Sequence, residues 1–203
     1  MSLSAHDRER VASAIGAAEA RTSGEIVCVL ARSSTDATGL PILVAALIAL
    51  ALPWLLVATT AMPVYRILSL QLIGFLALTA VLCVPSVRVM LVPRATRRAV
   101  AHRVAMEQFA IRGIAGKKDR NGILIFVSLA ERYARIIADE SIAARVPRTE
   151  WQRAVDALVA HMRDGRIADG FVTAIELCGD HLAAHFPPTE VSRNELPNRI
   201  YLI

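Results

Sequence analysis

The chain has 203 residues, 55% of them hydrophobic, with a mean hydropathy of +0.46 and a formal net charge of +5. That length holds one domain with a real core beside its apolar stretches and leaves no room for a second. Three scattered cysteines, Cys28, Cys83 and Cys178, exclude a disulfide framework and a zinc site, and arginines without stacking aromatics or a recognition motif exclude a nucleic-acid binder.

Ser4 to Arg21 reads as a helix, capped by Ser4 with Asp7 three residues on and with Val11, Ile15 and Ala18 on its apolar face. Thr22-Ser23-Gly24 ends it. Glu25 to Ala31 then reads as a strand buried on both faces, because its apolar run does not alternate. Two apolar spans follow, Leu40 to Met62 and Leu68 to Val87, without an Asp, Glu, Lys, Arg or His in either. At about 1.5 Å per helical residue, each is long enough to cross a hydrocarbon core of about 30 Å. Pro63 to Ile67 is expected to be the turn between them. The first span begins too far along the chain for a cleavable signal peptide. With no charged group inside them, the spans read as an anchor and not as an ion pathway.

Pro93 suits the first turn of a helix running to about Arg112, and Gly113 to Arg120 reads as a loop. Ile123 to Leu129 is a second fully apolar strand and Tyr133 to Ala138 a third, joined by a tight turn at Ala130-Glu131-Arg132. Thr149 with Gln152 is a capping box for a helix with the stripe Trp151, Val155, Leu158, Val159 and Met162, stopped by Gly165. Asp169 caps a last helix with the stripe Phe171, Ile175, Cys178, Leu182 and Phe186, which Pro187-Pro188 breaks. The final 15 residues read as an extended tail ending in Ile200-Tyr201-Leu202-Ile203.

This order gives an α/β fold, a small mixed sheet covered by helices and interrupted by a two-helix transmembrane hairpin. Residues 1–38 are the first part of the domain, 39–92 the hairpin, 93–188 the second part and 189–203 a C-terminal tail. Charge sets the expected orientation. Residues 88–120 carry 9 basic and 2 acidic side chains, whereas the hairpin turn carries Arg66 alone. The positive-inside rule puts the arginine-rich flank, and with it both termini, in the cytoplasm.

Three segments carry a family resemblance: Ser23-Gly24-Glu25-Ile26-Val27, Asn121-Gly122-Ile123-Leu124-Ile125-Phe126-Val127-Ser128, and Gly165-Arg166-Ile167-Ala168-Asp169-Gly170-Phe171. They resemble the conserved blocks of the TPM domain family, in particular its short bacterial membrane-protein branch, where a hairpin interrupts the domain. Ala130-Glu131-Arg132-Tyr133 and the ending His185-Phe186-Pro187-Pro188 strengthen the likeness. The resemblance implies an α/β sandwich in the bacterial inner membrane. Its members include a plant protein described as a phosphatase, calcium binders, and proteins that assist assembly or repair of membrane complexes. It also implies a membrane-protein partner of the LemA type.

Two sets of residues are candidates for chemistry. Asp36, Glu131, Asp139 and Glu140 lie at expected strand ends, and hard oxygen donors of this kind suit calcium or magnesium if they converge. Read separately, they are ordinary solvated caps. Arg94, Arg97 and Arg98 share one helix face at i, i+3 and i+4 and, with Arg103, are placed to meet anionic lipid headgroups or an anionic partner; alternatively they only fix topology. His181 and His185 stand one turn apart but lack a third ligand. No nucleophile motif accompanies the acids. The expected function is therefore a membrane-anchored binding or accessory module at the cytoplasmic face. The alternatives are a metal-dependent phosphatase at the membrane surface and a calcium-responsive regulator.

Overall fold

The computed structural model describes residues 3–34, 39–60, 62–84, 87, 92–114, 121–188 and 196–203. It divides into two compact units, one formed by residues 1–34 with 99–203 and the other by residues 35–98.

The larger unit is built on a four-stranded mixed sheet. Its strands are β1 (Glu25–Ala31), β2 (Gly122–Ser128), β3 (Tyr133–Ala138) and β4 (Ile200–Leu202), in the order β3-β2-β1-β4. β1 runs parallel to β2, with Glu25 opposite Gly122 and Ala31 opposite Ser128, and parallel to β4, with Cys28 opposite Ile200. β3 is antiparallel to β2. Every residue of β1 and of β2 is buried, as their unbroken apolar runs require.

Alternate side chains enter different cores. Ile26, Cys28 and Leu30 join Ile123, Ile125 and Val127 beneath α1 (Ala5–Glu19), α6 (Arg148–Arg163) and α7 (Ile167–His185). Val27, Val29, Leu124 and Phe126 pack on the opposite face with Ala105 and Phe109 of α4 (Arg94–Ile111). The capping box of α1 forms as expected: Asp7 N–H donates to Ser4 Oγ at 3.0 Å and Ser4 N–H to Asp7 Oδ2 at 3.3 Å. The Ser4 hydroxyl bond, foremost, holds the Asp7 carboxyl below its ordinary pKa.

Three local expectations are corrected. α6 starts at Arg148 behind Pro147, which offers no side-chain cap, so Thr149 lies inside the helix. α7 starts at Ile167, so Asp169 sits in its first turn and instead accepts a 2.7 Å bond from Arg10 of α1. In both cases the helix begins earlier than the side-chain signal, since tertiary packing of the first turn outweighs a cap worth about 1 kcal/mol. The end of the chain is also more than a tail. Ile200–Leu202 becomes β4, tied to β1 by Arg32 N–H to Ile203 O (2.8 Å) and Ile203 N–H to Leu30 O (3.1 Å). Three residues are too few to announce a strand, and only the open edge of β1 makes them one.

The smaller unit holds α2 (Gly39–Thr59) and α3 (Val64–Leu82), both long and apolar enough to cross a membrane. They pack on each other, with the small residues Ala45 and Ala49 buried one turn apart. Most of their apolar surface is exposed, Trp54 to 79%. Three hydroxyls are satisfied by the backbone one turn back, as lipid demands of a polar group: Thr59 donates to Leu55 O, Thr60 to Leu56 O and Ser69 to Tyr65 O, each at 2.6–2.8 Å, whereas the buried Thr79 hydroxyl has no partner among the described residues. The turn lies nearer the N-terminus than expected. Pro63 caps α3 and Val64 to Ile67 are already helical, because charge at Arg66 marks polarity and not the end of a helix.

Candidate functional site

β1 and β2 end at the same rim of the sheet, the carboxyl ends of two adjacent parallel strands, where ligands collect in open α/β sheets. Both chains turn polar there. Arg32-Ser33-Ser34 follows β1, while Ser128 closes β2 ahead of the turn Leu129 to Arg132. Leu129 N–H donates to Ala31 O at 3.0 Å and Ala130 N–H to Arg32 O at 3.1 Å, so the ladder continues past the strands. Arg132 takes a left-handed conformation, φ +50°, a region uncommon for residues other than glycine.

Inside this turn Glu131 is 6% exposed and Ser128 fully buried. The Glu131 carboxylate accepts from Ser33 Oγ (3.0 Å), from the Ser34 backbone N–H (3.0 Å) and from Ser128 Oγ. Ser34 Oγ donates in turn to Ser128 Oγ at 2.8 Å. The result is a hydroxyl relay, Ser34 to Ser128 to Glu131, in which each bond polarises the next. Through these bonds the Glu131 carboxylate ties the segment after β1 to the turn after β2.

A cavity of about 550 Å³ opens beside this rim, lined among others by Ser128, Arg132, Tyr133, Met162 and Arg163. Neither arginine has a carboxylate partner among the described residues. The mouth beside the buried acid is thus basic and suits an anionic group.

Of the four acids grouped from the sequence, the three that are described do not converge. β2 and β3 are antiparallel, so Glu131 sits at the Ser128–Tyr133 end, whereas Asp139 donates its N–H to Gly122 O (3.0 Å) at the other end. About six strand residues at roughly 3.3 Å each separate them. Asp139 is the N-cap of a short helix, α5 (Glu140–Ala143), its side chain accepting from Glu140 N–H at 2.6 Å. Glu140 is exposed in that helix's first turn, and Asp36 lies outside the described residues. Among the described residues no three His, Cys, Asp or Glu side chains cluster as metal ligands. Glu131 by itself, its oxygens engaged by donors, does not fit a calcium or magnesium site.

Arg94, Arg97 and Arg98 do lie on one stretch of α4, Arg94 and Arg98 exposed and Arg97 half-buried. Arg103 stands about 140° around the helix from Arg98 and is 3.7 Å from Glu107. It belongs to a different face. His181 approaches Glu150 of α6 at 3.4 Å and joins no metal-ligand cluster among the described residues. Sequence reasoning missed Ser33, Ser34 and Ser128. Their signal was available: hydroxyl residues directly after two fully buried strands, at the end where parallel strands present their ligand groups.

Residues 83–181 match the model of the TPM domain. This stretch is similar to the TPM domain. The matched span takes in α4, β2, β3 and α6 with most of α7, while α1 and β1, ahead of the hairpin, complete the sheet and its cover. The sheet that holds the matched strands is therefore assembled from both sides of the hairpin. The NMR structure of the BA42 protein from the psychrophilic bacterium Bizionia argentinensis is similar in fold, with a TM-score of 0.62 at 21% identity, covering 100% of this chain and 97% of that one. No curated protein matches the chain.

Proposed function

We propose that this chain is a membrane-anchored TPM module that binds and assists a membrane-protein complex at the cytoplasmic face of the bacterial inner membrane. The observation that carries the anchor is the pairing of β1 with β2 across the hairpin. Strands before and after α2 and α3 belong to one sheet, so the chain must return to the side it left. Two crossings do this and one does not. The arginine excess after α3 against the single Arg66 in the turn favours the cytoplasm for the sheet. Arg94, Arg97 and Arg98 then meet anionic headgroups at the inner leaflet, each worth about 1 kcal/mol.

Binding is favoured over catalysis because the Glu131 carboxylate is held by Ser33, Ser34 and Ser128 as a structural tie. Crosslinking in intact membranes followed by purification is expected to recover a membrane-protein partner in stoichiometric amount, a LemA-type protein being one identity to check. A chain that purifies alone under every crosslinking condition overturns the reading. Protease added outside sealed cells should leave the domain intact.

A phosphatase is the second reading, favoured by the basic cavity beside Ser128 and Glu131. Turnover of a generic phosphoester by the purified protein, tried with magnesium and with calcium and abolished in Glu131→Gln, would replace the accessory role. Asp139→Ala is expected to leave any such activity in place, since Asp139 lies at the far rim. A calcium-dependent rise in melting temperature would instead mark a calcium-responsive regulator.

A further inference from the structure

β3 is an edge strand six residues long, paired with β2 on one side only. The bond from Asp139 N–H to Gly122 O makes those two a hydrogen-bonded pair. Steps of two along an antiparallel ladder then turn Ile137, Arg135 and Tyr133 toward β2. Ala134, Ile136 and Ala138 point their N–H and C=O groups outward, away from the sheet. β4, at the other edge, has three residues, so β3 is the long open edge.

That edge lies at the bottom of a groove of about 470 Å³. One wall is the start of α6, with Arg148, Trp151 and Val155, and the other carries Met106 of α4. Arg135 and Arg148 are exposed, and neither forms an ion pair among the described residues. Among the described residues no aspartate or glutamate lines the groove. Glu150, nearby on α6, is already engaged by Arg153 at 3.0 Å and by His181.

We propose that this groove takes an extended, acidic segment of a partner protein, which adds to β3 as a fifth strand. Its backbone pairs with Ala134, Ile136 and Ala138; its carboxylates meet Arg135 on one face and Arg148 on the other; its apolar residues rest on Trp151, Val155 and Met106. This is strand addition, in which main-chain bonds give affinity and alternate side chains give selectivity. A second copy of this chain fits less well. Two-fold pairing of β3 centred on Ile136 would set the two Arg135 side chains on one face as diagonal neighbours, roughly 7–8 Å apart, with no acid between them. A charged edge deters self-pairing while it attracts an acidic strand. The inference goes beyond the accessory-module reading and does not depend on the membrane orientation.

The test uses the full chain in neutral-lipid nanodiscs and an end-blocked, fluorescein-labelled octapeptide of the repeat Glu-Glu-Val-Val, which sets glutamate and valine on both faces of the added strand. The peptide is expected to bind and to slow hydrogen exchange at the amides of Ala134, Ile136 and Ala138. A lysine–valine peptide should bind at least tenfold more weakly, and Arg135→Glu with Arg148→Glu should weaken the acidic peptide by at least tenfold. Methylating alternate backbone nitrogens of the peptide leaves the protein untouched. It should abolish binding in one register and spare it in the other. Protection elsewhere on the molecule, indifference to methylation, or no binding at millimolar peptide overturns the proposal. So does a protein dimer that excludes the peptide, which would assign the edge to a second copy.

Discussion

Gly170 decides how closely α6 and α7 approach, and replacing it with alanine tests the packing directly. A Cβ there would stand 2.9 Å from the carbonyl oxygen of Leu158 and 3.2 Å from both His161 Cβ and Leu158 Cδ1. The first of these is backbone of α6 and cannot rotate aside. The two helices must part by a few tenths of an ångström, at the level where Ala154, Leu158, Phe171 and Ala174 are nearly or wholly buried. In a helix alone the same change stabilises by about 1 kcal/mol. Overpacking a tight contact costs about 1–3 kcal/mol, and because the obstacle is a carbonyl the upper part of that range applies. The expected net loss is about 1–2 kcal/mol, or about 2–8 °C at roughly 2–4 °C per kcal/mol for a domain of this size. The two tryptophans are Trp54 in α2 and Trp151 in α6. In a Trp54→Phe background, thermal unfolding in detergent followed by fluorescence therefore reports on α6. Gly74→Ala is the control, since its Cβ would meet only Leu52 Cδ2 at 3.7 Å. A Gly170→Ala protein that melts at or above the parent refutes the close-approach argument, because helix propensity alone predicts that direction.

The chain end should matter in the same assay. Tyr201 lies under the guanidinium of Arg112 at 3.5 Å and near that of Arg199 at 4.7 Å, and Ile200 is buried against β1. Removing residues 200–203 is expected to cost about 2–4 kcal/mol through lost burial and cation–π contact, with Arg112→Ala reproducing about 1 kcal/mol of it; an unchanged melting temperature in both would show that β4 is not integral. The thiols of Cys28 and Cys178 should be silent. Burial pushes both pKa values up, so at pH 8 neither thiol offers a thiolate, and in a Cys83→Ser chain maleimide should label only after unfolding. Their folded-state pKa values are raised, so their contribution is intact below the unfolded thiol pKa near 8.5 and is lost as pH rises above it, at about 1.4 kcal/mol per pH unit for each. Urea midpoints that stay flat from pH 8 to pH 10 would contradict this.

Periodicity and hydropathy by themselves determined most of the scaffold. Glu25 to Ala31 and Ile123 to Val127 are apolar without alternation, and such a run has nowhere to go but the middle of a sheet covered on both faces. The length and apolarity of the hairpin helices, the arginine excess after them, and the turn at Ala130 to Arg132 are equally local properties. What no local pattern contains is which strand ends share a rim. The acids at 131, 139 and 140 are close in the chain, yet the reversal between β2 and β3 sends them to opposite ends of the sheet. Ser34 and Ser128, 94 residues apart, meet because β1 and β2 run parallel in register. The open edge of β3 and the conversion of Ile200 to Leu202 into a strand depend likewise on strand order. Side-chain chemistry is written residue by residue; proximity is set by long-range backbone pairing, and only the folded sheet supplies it.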